Sequence, residues 1–544
     1  MTAQSLLSAL QARSPALTET LRGLYGDDPA LLEDRRRAYE HAVQEFCVAF
    51  DPGAEVVVSR APGRANLLGR HVDHRGGFVN PIALNLEVVL VAQARDDDRF
   101  VVRNCDPAYP PREFALRDEL PPAKIRDLGE WDEWTLDRLR QRQEEGLGGH
   151  WTVYVQGAAV SFQDLLRAET GELRPPLKGM NAVATGNLPA SAGLSSSSAV
   201  FVSAAEAILH FNGVRYPPSE FADRCGRGEW YLGTRGGSGD HAAMKFGRRG
   251  QISHVGFFPT TISHVGFPAD YRIVIADSKD QAKKAEGARD RFNQRVAAYE
   301  FGLMLLRERF PAHADKLAYL RDANVETLGC DEGRIYEMLK ALPVTATRQE
   351  LRAVLPASQQ DRLEEIFAAH AEPQESYLVR DVCLFGVAEC LRSRDCFSML
   401  ESGDIAGFGE LMTISHDGDR VCRQDQAGNS TPFGAAVSDR ELDRLIAASR
   451  AGDPAAALIR QPGKYACSTP RVDRMVDLAL STPGVMGAQL SGAGLGGCMM
   501  ALVHREHADE LIDLLTTEYY TPLHLDPSAC VCTPVEGAGI VPVG

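Results

Sequence analysis

GNLPASAGLSSSSAV, residues Gly186 to Val200, is a Gly- and Ser-rich loop that feeds an apolar run, VFVSAAEAIL from Val200 to Leu209, with the spacing of a buried helix. The stretch predicts a loop at a helix N-terminus, and such a terminus collects phosphate. Unpaired backbone N–H groups point outward there and the helix dipole adds positive potential. Small residues admit an anion to the backbone, and serine hydroxyls can donate to it or hold Mg2+. A flexible Gly/Ser linker is the plainer reading. It fits poorly, because linkers do not run straight into a strongly apolar helix and Pro189 stiffens the approach. No Lys follows the glycines, so this is not the G-x-x-x-x-G-K-[ST] loop, and no G-x-S-x-G surrounds Ser195 to Ser198, which argues against a hydrolase nucleophile. Taken alone, the loop supports anion binding at a helix start.

At 544 residues the chain is long enough for two or more domains with sizeable cores. Hydrophobic and charged fractions of 44% and 24% match an ordinary water-soluble protein. No apolar run approaches a membrane span, and MTAQSLLSALQARSPAL lacks the basic start, long apolar core and cleavage site of a secretory signal, so a cytoplasmic protein is expected. The formal charge of −16 opposes nonspecific attraction to nucleic acid or anionic lipid, so an anionic ligand must be held by local positive features. The twelve cysteines are scattered, with one close pair, Cys530 and Cys532, in C-x-C spacing. They read as reduced core thiols rather than zinc ligands or disulfides.

Residues 1–50 predict a helical cap. Leu32, Tyr39, Ala42, Val43 and Phe46 share one face, and Arg35 to Arg37 read as a solvated one. AEVVVSR and LEVVLVAQA predict two strands, and the connection Ala61 to Leu84 gathers Arg64, Asn66, Arg70, His71, Asp73, His74 and Arg75. A loop this polar between apolar strands is a ligand-site candidate, although loops are polar anyway. His71, Asp73 and His74 form a fragment of H-x-H-x-D-H, a weak metal signal because Gly69 takes the first His position. From Asp106 to about Gly149 the chain reads as an insertion, with Trp131, Trp134 and Leu139 on one packing stripe; WTVYVQGAAVSFQDLL then begins as a strand or a helix start.

In CGRGEWYLGTRGGSGDHAAMKFG, Cys225 to Gly247, Glu229 ends a helical segment and Asp240 follows glycines that can bring its carboxylate against a ligand. An Asp after Gly is equally a common turn residue. ISHVGF, from Ile252 and again from Ile262, predicts two paired strands. YRIVIADS predicts another strand, followed by a largely helical stretch with an insertion over about 310–374. G-x-G-x-x-G at Gly492, Gly494 and Gly497 precedes CMMALV, a strand pattern, so a hairpin that packs its backbone closely fits better than a dinucleotide fold.

Taken together, APGRANLLG, GNLPASAGLSSSSA and SGAGLGGC, in this order, resemble the three signature motifs of the GHMP small-molecule kinases. The continuation HVDHRGG resembles the galactokinase branch, where Glu-His-Thr-Asp-Tyr-Asn-Gly-Gly is typical. The resemblance implies a two-domain α+β protein: a ribosomal-S5-like domain over 51–268 and a ferredoxin-like one over 269–544, with ATP and sugar in the cleft between. It implies that Pro189 and Gly193, Leu194, Ser195, Ser196, Ser197 and Ser198 wrap the triphosphate. Gly492, Gly494 and Gly496 close over them from the second domain. Ser197 and then Glu229 hold Mg2+, although the spacing from Glu229 to Asp240 is one residue short of the family pattern. Asp240 faces the attacking hydroxyl with Arg64 beside it, and Arg70, His71, Asp73, Gly239 and Phe292 meet the sugar.

The chain departs from the branch at the sugar. Arg70 stands for the usual Glu, His74 for Tyr, His241 for Gln and Phe292, in a loose alignment, for Tyr. Arginine only donates, and its fork suits a carboxylate. A kinase for an acidic sugar such as galacturonate therefore stands beside one for a galactose-like sugar, and Arg70 turned away to a surface acid is the competing placement. A non-catalytic sugar sensor is the reading from another class; Arg64, Ser197 and Asp240 together favour an enzyme.

Overall fold

The computed structural model describes residues 1–167, 176–189, 192–233, 235–280, 286–424, 430–434 and 437–543. The chain opens with α1 (Ala3–Gln11), α2 (Pro15–Tyr25) and α3 (Pro29–Ala49). Each starts where a side-chain oxygen satisfies free amides: Thr2 accepts from Ser5, Ser14 from Leu17, and Asp28 from Ala30 and Leu31. There follow β1 (Val57–Asn66), β2 (Phe78–Val79), β3 (Pro81–Ala94), β4 (Arg99–Asn104) and β5 (Arg112–Ala115). Next come α4 (Leu128–Glu144), α5 (Val153–Leu166), β6 (Met180–Gly186), α6 (Ser196–Phe211), α7 (Pro218–Gly228) and α8 (Gly239–Phe246). The two ISHVGF repeats are β7 (Gln251–Gly256) and β8 (Thr261–Gly266), paired antiparallel as expected.

The second half begins with β9 (Tyr271–Asp277) and α9 (Glu286–Arg309). Short helices α10 (Val325–Leu328), α11 (Glu332–Lys340), α12 (Arg348–Val354) and α13 (Gln360–Ala368) fall in the stretch over about 310–374. Then come α14 (Val379–Ser402), α15 (Ile405–Asp419), the small ribbon β10 (Cys422–Gln424) and β11 (Ser430–Pro432), α16 (Asp439–Arg450) and α17 (Pro470–Leu480). The chain closes with β12 (Val485–Leu490), β13 (Cys498–His504), α18 (Ala508–Leu515), β14 (Ala529–Cys532) and β15 (Gly539–Val541).

Two sheets organise these elements, and the chain is α+β. The first has the order β15-β1-β3-β6-β4-β5, so the last strand of the chain returns to edge it. Alternation sorts its two faces. Val89, Val91 and Val183 pack under α1–α3, whereas Leu90, Ala92, Ala182 and Ala184 pack under α5 and α6. The second sheet, β12-β13-β9-β14, is antiparallel. Taking β9 as its first strand, it reads βαββαβ in the ferredoxin-like order. Val274, Ala276, Met499 and Ala501 face α17 and α18. Ile273, Ile275, Cys498 and Met500 instead join Leu67, Leu68 and Ile82 of the first half in one core, which locks the two halves together.

Three local expectations change. The first strand does not stop at AEVVVSR; β1 continues past a bulge between Pro62 and Arg64, so Arg64 stands on a strand rather than a loop. The ambiguous WTVYVQGAAV run is helix from Val153 onward. Arg35 to Arg37 are not a uniformly solvated face: Arg37 is exposed, but Arg35 is buried with Nη1 3.7 Å from Glu87 Oε1. Glu87, on β3, also accepts from Arg60 Nε at 2.5 Å and from the Tyr25 hydroxyl. This buried carboxylate pins the cap to the sheet, and no helical-wheel argument reveals a partner fifty residues away.

Candidate active site

Arg64 reaches from β1 to two neighbours. Its Nε and Nη2 donate to Oδ1 and Oδ2 of Asp240 at 2.7 and 2.9 Å, and its Nη1 donates to the Gly193 carbonyl at 2.7 Å. Asp240 lies on the first turn of α8. Ser195, in left-handed conformation at the start of α6, donates its hydroxyl to Asp240 Oδ2. The Asp240 side chain keeps 39% of its surface open, enough to meet a ligand. Burial alone would raise its pKa, but the Arg64 charge and the hydrogen bonds from Arg64 and Ser195 outweigh burial and hold it below the usual carboxylate range.

The loop before α6 is backed by the turn between β12 and β13. A side chain at Gly193 would place Cβ 2.6 Å from the Ser491 carbonyl, and one at Gly492 would lie 2.7 Å from the Gly193 carbonyl. Both have positive φ, so glycine is required twice over. Cys498 N donates to the Ala192 carbonyl at 3.0 Å, stitching the two loops together. Gly494 packs against the Cys467 carbonyl, and Gly496 has φ +124°. Pro189, Ser195, Ser196 and Ser197 are half-buried at the loop surface. Leu194 and Ser198 are buried in the core, leaving them only backbone groups for a ligand, and Ala190 and Ser191 fall outside the described residues.

Glu229 follows α7 on a 3-10 turn, Glu229–Leu232. Its Oε2 lies 3.3 Å from His241 Nε2, while its Oε1 is buried with no hydrogen-bond partner among the described residues. Tyr154, on α5, sits between this carboxylate and Ser197. Burial and the Glu229 charge raise its pKa, and a hydrogen bond with Ser197 opposes them. The orphaned oxygen of Glu229 and the Ser197 hydroxyl, each next to Tyr154, are hard-oxygen donors of the kind that fits Mg2+, which takes one or two protein carboxylates and fills its shell with phosphate and water. Among the described residues no group of three or more His, Cys, Asp or Glu could hold a metal by itself.

At the other end, Asp73 and His74 pair, Oδ1 to Nδ1 at 2.9 Å, which spends the weak metal motif on an internal bond. Burial raises the Asp73 pKa, yet bonding and charge from His74 hold it at about 2. A Cβ at Gly239 would stand 3.1 Å from Asp73 Oδ2, so the glycine brings α8 and its Asp240 against that carboxylate. His71 stacks on Tyr465 with ring centres 4.1 Å apart and lies 6.2 Å from Phe292.

Arg70 borders the cleft, but its guanidinium is engaged by partners inside the protein. It is buried, with Nη1 donating to Gln489 Oε1 at 2.8 Å and the Leu490 carbonyl at 2.9 Å, Nη2 donating to Ser415 Oγ at 3.1 Å, and Nη2 3.0 Å from Asp419 Oδ2. Its acid is therefore interior, not on the surface. The backbone amides of Gly69 and Arg70 both donate to Glu389 Oε1, at 2.8 and 3.2 Å, so the turn itself is held by the second half of the chain.

One cleft of about 980 Å³ has Arg64, Arg70, His71, Asp73, Glu229, Gly239, Asp240, Phe292, Gly492 and Gly494 in its wall, with Tyr154 and Leu139 beside them; Pro189, Gly193, Gly496 and the serines from Ser195 to Ser198 lie outside that wall. Leu139 comes from α4, inside the expected insertion. Its helix packs on the Glu229 turn, with Trp131 Nε1 donating to the Arg227 carbonyl and Arg142 over the Tyr231 ring. Sequence reading did not find the Ser195 link to Asp240, the place of Tyr154, or this wall, because each joins segments distant along the chain. The nearest signal was the apolar stripe on α4.

The galactokinase galactose-binding signature matches residues 44–94, the GHMP kinases N-terminal domain residues 154–248, and the GHMP kinases C-terminal domain residues 438–521. The chain is 24% identical over 520 residues to a galactokinase of Dictyostelium discoideum, covering 93% of this chain and 92% of the relative. It is 26% identical over 484 residues to one of Chloroflexus aggregans, covering 89% and 92%. The solved structure of Lactococcus lactis galactokinase complexed with galactose shares its fold, with a TM-score of 0.60 at 19% identity over 91% of this chain and 97% of that one. The chain thus carries the galactokinase galactose-binding signature, on the segment that holds Arg64 and His71, together with the N- and C-terminal domains of the GHMP kinases around the cleft.

Proposed function

We propose that this chain is an ATP-dependent sugar 1-kinase that transfers the γ-phosphoryl group to the anomeric hydroxyl of a galactose-like neutral monosaccharide. The observation that carries the reading is the Arg64 bridge, which ties a partly open carboxylate, Asp240, directly to the loop at the start of α6. Phosphoryl transfer needs positioning and charge neutralisation more than covalent chemistry. Asp240, ionised at neutral pH, would orient the sugar hydroxyl and accept its proton as the oxygen–phosphorus bond forms. Arg64 fixes the direction of that carboxylate and offers positive charge next to the phosphate loop. Ser197 and Glu229 would hold Mg2+, which would screen the phosphate charge. ATP dependence fits a cytoplasmic protein.

A neutral sugar is favoured over a uronic acid because Arg70, the arginine that stands where the branch has a Glu, already has Asp419, Gln489, Ser415 and a carbonyl as partners. The test is coupled ADP release over a panel of neutral, amino and acidic monosaccharides. Turnover is expected with galactose or a close neutral relative; no ADP release with any sugar would leave a sensor, and a preference for galacturonate would overturn the assignment of Arg70.

A further inference from the structure

Asp419, the last residue of α15, is fully buried and outside the cleft wall. Its Oδ2 is 3.0 Å from Arg70 Nη2 and its Oδ1 is 3.3 Å from His71 Nε2. Both contacts are close but off the line of a hydrogen bond, and among the described residues neither oxygen, nor His71 Nε2, has a hydrogen-bond partner. A buried carboxylate depends on whatever cations and donors stand next to it, so these two contacts are what make its charge tolerable. The imidazole is held in place beside the carboxylate. His71 stacks on Tyr465 with 11° between the rings, is flanked by Phe385 at 6.0 Å, and has φ +62° on a turn held by Glu389.

We propose that Asp419 is a positioning residue for the sugar: it keeps the proton of His71 on Nε2, so that Nδ1 meets the cleft as a hydrogen-bond acceptor. The two ring nitrogens of a histidine divide their roles in this way, the partner of one fixing what the other can do. With Arg70 balancing the carboxylate charge, a neutral imidazole leaves the buried group electroneutral. The consequence is a rule of specificity. The sugar position facing His71 must donate, so a hydroxyl is accepted and a fluorine, which cannot donate, is refused. This inference rests on the sugar-kinase reading and names how one end of that site selects its substrate.

The experiment is a deoxyfluoro scan. ADP release is measured for galactose and for its deoxyfluoro analogues at each carbon that bears a free non-anomeric hydroxyl, with wild type, Asp419→Asn, His71→Ala and the double variant. In wild type one position should lose about tenfold in kcat/KM when fluorinated, through KM rather than kcat. In Asp419→Asn, whose amide can donate to Nε2 and push the proton to Nδ1, that loss should shrink to within about twofold. In the His71→Ala background, Asp419→Asn should change the sugar KM no further. A flat scan in wild type, or an Asp419→Asn effect that persists without His71, overturns the proposal. Absence of turnover with galactose itself would instead sink the sugar-kinase reading. His71→Ala keeps the Arg70–Asp419 pair, so it remains informative if Asp419→Asn proves unstable.

Discussion

Arg70→Met removes a guanidinium from a fully buried carboxylate, and the structure sets the size of the effect. At the 3.0 Å separation of Nη2 and Asp419 Oδ2, an effective dielectric of about 20 gives an attraction of roughly 5 kcal/mol. That agrees with the 3–5 kcal/mol or so lost when one member of a buried pair is removed. Replacing both partners, Arg70→Met with Asp419→Leu, removes the stranded charge and should recover most of the loss, to within about 2 kcal/mol of wild type. The assay is urea unfolding of wild type, both single variants and the double, read as a cycle. In parallel, kcat/KM is compared for galactose and galacturonate. If Arg70→Met costs less than about 1 kcal/mol and abolishes turnover of an acidic sugar, Arg70 is a substrate arginine and the reasoning from its buried partners is wrong.

Further outcomes follow from the same geometry. Asp240→Asn keeps the shape at Arg64 while removing the charge, so kcat should fall by roughly 10²–10⁴ with nucleotide affinity nearly unchanged; near wild-type kcat would remove Asp240 from the chemistry. Ser195→Ala deletes one of the bonds that depress the Asp240 pKa, so the acid limb of kcat/KM should move to higher pH, whereas an unmoved limb denies Ser195 that role. Glu229→Gln and Ser197→Ala should each raise the Mg2+ concentration for half-maximal velocity several-fold, and an unchanged titration would place the cation elsewhere. His254 and His370 are both lowered to about 4, chiefly by burial. The unfolded chain, with His near 6.5, binds protons first as pH falls, so stability should drop between about pH 6.5 and 4, and be regained on returning to neutrality. His254→Gln should flatten that slope, and an equal slope in the variant would show that burial of this ring is not its source.

What the sequence determined is what neighbouring residues determine among themselves. The apolar run after Gly193 predicts a helix, and α6 is there; the apolar run LEVVLVAQA predicts a strand, and β3 holds it; the repeated ISHVGF predicts the β7–β8 pair. The glycines from Gly492 to Gly497 predict a close backbone turn because positive φ and absent Cβ are properties of the residue itself. Tertiary structure decided which side chains meet across long separations. Arg70 reads as an arginine beside a sugar motif, and nothing within its segment tells that Asp419, Gln489 and Ser415 claim its charge from the other half of the chain. The same holds for Glu87, which looks like a polar residue within a strand and is the buried anchor of the cap. Ser195, one serine in a run of four, is singled out only because α8 brings Asp240 to it. Local periodicity and turn chemistry act over a few residues and are written in order, whereas the electrostatic partner of a buried charge is fixed by packing, and packing is known only once the whole chain has closed around it.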